Sequence, residues 1–280
     1  MLRLLHVANG HCTTRLIDAA GLPGRVSIWA DPLHDGPIPR TLSDEEWIRV
    51  RAQFHTPDDQ SPDAAAADFR RWRAVIDDHA AYDELVLWFE HDLFDQLALL
   101  QVLSRVGRER PVPKPISLVS IDAYPGHSDF KGLGELEPAD IAALFERRVR
   151  VTPAQLALAA EAWDVFREQD PEQLRAFIRR DTSPLPFLAP ALERYLEERP
   201  SADDGLSRSE RRLLAQLANG PLEIHAAWRG MHEGERAYYI TDTSFWDLIN
   251  RLAGDTPPLI DVRVSGGDGP LPHGTLALRS

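Results

Sequence analysis

Four short runs in the first half of the chain are almost wholly apolar: residues 4–8 (LLHVA), 26–30 (VSIWA), 85–89 (LVLWF) and 116–121 (ISLVSI), interrupted only by His6, Ser27, Ser117 and Ser120. Runs of this length, with no polar side chain on every second position, cannot leave one face of a sheet in water. They call for a sheet covered on both sides. The segments between them carry helical patterns. Residues 13–20 stop at Gly21; residues 43–54 open on a Ser43/Glu46 capping box; residues 64–80 and 93–106 complete the set. Strands alternating with helices predict an α/β fold built on a mostly parallel, Rossmann-like sheet over residues 1–133.

Residues 134–200 read as all helical. Thr152-Pro153-Ala154-Gln155 combines an N-cap, a proline at the first helical position and a capping-box glutamine; Asp170-Pro171-Glu172-Gln173 repeats the device. Leu156, Ala159, Trp163 and Phe166 share one helical face and are expected to bury it. The run 198–205 (ERPSADDG) is the best linker, and residues 206–280 form a third region. There a capping box at Ser207 and Glu210 starts a helix that stops at Asn219-Gly220-Pro221. A second helix covers about 244–253, and strands at 259–264 and 275–278 flank a glycine-rich turn. Helices followed by a two-stranded ribbon is the order of a winged helix.

Charge narrows the partners. The chain has 31 Lys and Arg against 44 Asp and Glu, a net charge of −13, and each of the three regions is acidic. Nucleic-acid affinity rests largely on phosphate neutralisation, so DNA or RNA is disfavoured. Arg208, Arg211 and Arg212 are the only local basic cluster in the last region. No apolar run reaches the length of a membrane span, and the first residues turn polar by Asn9, too early for a signal-peptide core. With one cysteine, Cys12, no internal disulfide is expected, and the reading is cytoplasmic. Oligomeric state is not legible.

The chemistry-bearing residues follow the predicted strands. After the first come Asn9, Gly10 and His11; after the second, Asp31, His34 and Asp35; after the third, Glu90, His91 and Asp92, then Asp95; after the fourth, Asp122 and His127. A parallel sheet brings its strand C-termini to one edge, where ligands bind. Four segments are thereby expected to share one rim. Asn9 and Gly10, ahead of a helix, suit a phosphate or carboxylate group. Asp31, Glu90, Asp92 and Asp122 are candidate acid–base carboxylates or ligands of a divalent metal, and His91 a proton shuttle. The spacing is not that of a dinucleotide fingerprint, a P-loop, HExxH or an EF-hand. The expected function is hydrolysis or group transfer on a phosphate- or carboxylate-bearing small molecule. The alternatives are a winged-helix DNA-binding regulator, or an interaction module docking through Trp228, Tyr238, Tyr239, Phe245 and Trp246.

The runs LHVANGH, ADPLHDGPIP, LVLWFEHDLFDQLALLQVL and SIDAYPGHSDFKGLGEL resemble the bacterial family called domain of unknown function 1835. The tail, GLSRSERRLLAQLANGP with TDTSFWDLINRLAG, is similar to a segment that often follows that domain. The resemblance implies an α/β N-terminal domain in a bacterial cytosol and assigns no catalytic residue. Where the family pattern carries an acidic residue after the first-strand glycine, this chain has His11.

Overall fold

The structure is a computed structural model that describes residues 2–57, 60–108, 112–267 and 269–279. The chain divides into two compact units, residues 1–192 and 193–280. The expected mixed α/β architecture is present. The first unit holds a five-stranded sheet of β1 (Leu4–Ala8), β2 (Arg25–Ile28), β3 (Glu84–Trp88), β4 (Ile116–Val119) and β5 (Val149–Arg150). Its order is β2-β1-β3-β4-β5. The first four strands run parallel, and β5 closes the edge antiparallel to β4.

Strands β1, β3 and β4 are buried on both faces, as their composition requires, whereas β2, at the sheet edge, is only half-buried. Alternate residues of β3 go to opposite sides. Val86 and Trp88 join Leu4, Ala8 and Val119 in a cluster closed by Ile17 of α1 (His11–Ala19) and by Ile141, Leu144 and Phe145 of α5 (Pro138–Glu146). The other face is covered from α3 (Asp63–Asp77) and α4 (Leu93–Val106), with α2 (Asp44–Phe54) against α3 and α6 (Pro153–Glu168) against α4. His6, the one polar side chain in β1, is fully buried between a Trp88 indole N–H donating to Nδ1 (3.1 Å) and the Pro23 carbonyl beside Nε2 (3.2 Å). Burial holds its pKa below the ordinary histidine value, so it is a neutral core residue.

The helix starts follow local chemistry. Ser43 and Glu46 form the expected capping box on α2, and Thr152 and Gln155 the one on α6. Asp170 caps α7 (Pro171–Ile178), and α8 (Leu188–Glu197) follows. Helix α1 starts earlier than the sequence suggests. Gly10, extended, is its N-cap, and Thr13 and Thr14 are buried in its first turn. The helical region expected at 134–200 is not a unit of its own: up to Leu192 it belongs to the first.

The second unit runs α9 (Arg208–Leu217), β6 (Leu222–Glu223), α10 (Ile224–His232), α11 (Asp242–Gly254), β7 (Ile260–Gly266) and β8 (His273–Leu278). Its three strands form an antiparallel sheet in the order β6-β8-β7. Ser207 and Glu210 box the start of α9, and Thr241 caps α11. Among the described residues, no helix is long and apolar enough to cross a membrane.

Candidate functional site

Strand order fixes where a ligand can enter the first unit. From β1 the chain moves outward to β2, then crosses back to build β3 on the other side. The crossovers on either side of the β1–β3 pair therefore leave in opposite directions, and a crevice opens beyond the C-termini of these two strands. Ala8 pairs with Trp88 at that end, so the next residues, Asn9-Gly10 and Phe89-Glu90, emerge side by side.

Three carboxylates meet there. Glu90, Asp92 and Asp95 each place an oxygen within 4.8 Å of the others, and all three are buried. Local geometry explains part of the arrangement. Asp92 is the N-cap of α4, accepting the Asp95 amide at 2.9 Å. Asp95 accepts the Glu90 amide at 2.8 Å and the Asn9 side-chain amide, which ties the β1 loop to the β3 loop. Gln96 donates to the Glu90 carbonyl at 2.6 Å. The Glu90 carboxylate reaches across to accept the Leu133 amide. Gly132 permits this approach: a Cβ there would stand 2.6 Å from Glu90 Oε2.

Capping accounts for Asp92 and Asp95, but not for a third buried carboxylate beside them. Burial, then the charge of Asp92, pushes the Glu90 carboxyl up to about 8. Burial also raises Asp92, against the opposing pull of the Asp95 amide. Asp95 is raised well above its ordinary value by burial and by the charges of Glu90 and Asp92. Three like charges in a dry pocket cannot all stay ionised without a proton or a cation between them. Compact, all-oxygen donor sets of this kind suit hard divalent ions.

His91 sits beside the cluster, with Nδ1 3.3 Å from the Ile121 carbonyl and its ring near Phe130 and Phe187. In that contact the ring donates from Nδ1 to the carbonyl oxygen. His34 lies edge-on to Phe94, 3.3 Å from a carboxylate oxygen of Asp35.

Other residues expected at the rim are placed differently. Asp31 is buried against Arg51, which is itself fully buried and donates to it from Nε (2.9 Å) and Nη2 (2.6 Å). The same guanidinium also holds the carbonyls of Asp35, Pro32 and Pro37, locking the loop after β2. Burial acts to raise the Asp31 carboxyl, but the hydrogen bond with His55 and the charge of Arg51 outweigh it and hold it low. Asp31 is thus the anchor of a structural ion pair. Asp122 is exposed, as is His11. His127 packs its ring against Tyr124 and Phe130.

Sequence reading passed over Arg51 and the 132–133 turn, and left Asp95 out of the candidate catalytic and metal-binding carboxylates. Arg51 gives a signal in retrospect: it shares the buried stripe of α2 with Trp47, Ile48 and Ala52, and a charge on such a stripe needs a partner. The turn at Gly132 gives none, being 42 residues distant from Glu90.

In the second unit the three arginines that could meet phosphate are engaged within the protein. Arg208 pairs with Glu197, Arg211 with Asp204, and Arg212 donates to the Gly230 carbonyl. Of the aromatics, Phe245 and Tyr238 are buried, and the Trp228 indole donates to the Ile240 carbonyl at 3.0 Å. No protein-family model and no curated protein matches the chain.

Proposed function

We propose that the crevice between β1 and β3 holds a divalent cation on Glu90, Asp92 and Asp95. The cation would present a phosphate- or carboxylate-bearing small molecule for hydrolysis or group transfer. The observation that carries this reading is the meeting of three buried carboxylates at the topological switch point of the sheet. Asn9 orients Asp95, and the α1 N-terminus behind Gly10 offers free amides to an anionic substrate group. His91, through Nε2, is the proton-transfer group. The proposed setting is the cytoplasm.

The segment WFEHDLFDQ, which bears the resemblance to domain of unknown function 1835, also supplies all three carboxylates. We propose membership of that family on this ground. The second unit's order of helices and strands supports a winged-helix reading. Its engaged arginines favour a packing or protein-binding module over a DNA reader.

The test is calorimetric titration of Mn2+ and Mg2+ into the protein, followed by assay of p-nitrophenyl phosphate and p-nitrophenyl acetate turnover with and without the ion. One ion per chain, lost in Asp92→Asn and Asp95→Asn, is expected. Equal binding in these variants and the parent protein refutes the cation site.

A further inference from the structure

A second charged recess lies at the far end of α4. Asp95, in the carboxylate cluster, and Arg105 are ten residues apart on this helix, or about 15 Å at 1.5 Å per residue. Arg105 there joins Arg73 of α3, Arg108 just after α4 and Arg167 of α6 around a cavity of about 260 Å³. Asp44, at the start of α2, is the only carboxylate in its lining among the described residues.

Three of the guanidinium groups, those of Arg73, Arg105 and Arg167, are held in place before any ligand arrives. Arg73 lies over the rings of Trp29 and Trp47, at 5.9 and 5.8 Å, and Arg167 over Trp163 at 5.5 Å. Asp44 is shared between Arg73 (3.1 Å) and Arg105 (2.7 Å). At the rim Asp77 takes the other side of Arg105, and Asp164 one nitrogen of Arg167. These contacts do not use up the donors. The Arg167 Nε is buried with no acceptor. Among the described residues Arg108 has no ion-pair partner. Buried N–H groups without acceptors are uncommon in native proteins, and a charged one is costly to leave so.

The geometry points to a binding site for a diphosphate group in this recess, separate from the carboxylate crevice. Planar guanidinium forks match phosphate oxygens, and the four around this cavity outnumber the three carboxylates, Asp44, Asp77 and Asp164, that pair with them. At roughly 30 Å³ per water the space equals about nine waters, room for a diphosphate and part of its hydration.

Titration of inorganic pyrophosphate into the whole protein, in EDTA and at low salt, tests this. Chelation keeps any metal–pyrophosphate complex out of the carboxylate crevice. Saturable binding of one pyrophosphate per chain is expected, tighter than that of orthophosphate. Arg108→Ala and Arg167→Gln should each weaken it about tenfold, the value of one charge-assisted hydrogen bond. Arg108 is exposed, so its variant tests the site even if Arg167→Gln fails to fold. Glu90→Gln should bind pyrophosphate like the parent protein, which separates this site from the proposed reaction centre. Methyl diphosphate binding more tightly than pyrophosphate would mark a diphosphate carried on a small molecule; weaker binding would mark the free ion. The inference is overturned by absence of saturable binding, by orthophosphate binding as tightly, or by unchanged affinity in Arg108→Ala and a folded Arg167→Gln.

Discussion

Glu90→Gln should remove the loss of stability that the Glu90 carboxyl imposes as pH rises. The Glu90 carboxyl keeps its proton in the folded protein up to about 8, whereas the ordinary value is 4.5. A group whose folded value is raised contributes its stability fully below the unfolded value, and loses it as pH rises through the folded one. Each pH step between the two values removes about 1.4 kcal/mol. From about pH 5 to about pH 8 the loss is therefore about 4 kcal/mol, a fall in Tm of about 8–16 °C. Glutamine keeps an acceptor for the Leu133 amide and the shape of the protonated acid, but carries no charge to strand beside Asp92 and Asp95. Urea unfolding in EDTA at stepped pH, followed for the parent protein and for Glu90→Gln, reads the difference. The variant should match the parent near pH 5 and exceed it increasingly towards pH 8. In the parent, a divalent ion at a hundred times its Kd should restore about 2.7 kcal/mol at the alkaline end. Parallel curves for the two proteins across this range would show that Glu90 is not held protonated by its neighbours, and the reasoning about the cluster would fall.

Asp31→Asn removes the partner of the fully buried Arg51 and should cost about 3–5 kcal/mol in urea unfolding while leaving Mn2+ affinity unchanged; a loss below about 1 kcal/mol would remove the ion pair from its structural role. Because Asp31 is held low, its stabilisation is present above the ordinary value of 3.8 and should disappear as pH falls through the folded one, a loss visible in acid unfolding of the parent and absent in the variant. Gly132→Ala puts a methyl group 2.6 Å from Glu90 Oε2 and should destabilise by about 1–3 kcal/mol and weaken Mn2+ binding, both measurable in one calorimetric series. Thr152→Ala deletes the side-chain acceptor at the start of α6 and should lower stability by about 1 kcal/mol, read as a Tm shift.

The amino-acid order alone determined the four parallel strands of the first unit and the helices between them, but not the antiparallel β5, which lies in a segment that reads as helical. Apolar runs without alternation leave no wet face, so the strands had to be parallel and covered on both sides, and the capping residues at Ser43, Thr152 and Ser207 set helix starts that the structure keeps. These are local effects, settled within a few residues. The run Glu90-His91-Asp92 was also legible as chemistry, since capping left Glu90 unexplained. Which of the strand-end residues meet was decided only in three dimensions. Strand order put β1 beside β3 and so brought Asn9 to Asp95, 86 residues away, while the exposed Asp122 stands outside the group. Arg51, reaching 20 residues back along the chain, turned Asp31 from a candidate catalyst into an anchor. A carboxylate reads the same in sequence whether its partner is a guanidinium or another carboxylate; long-range packing chooses the partner, and the partner sets its charge state.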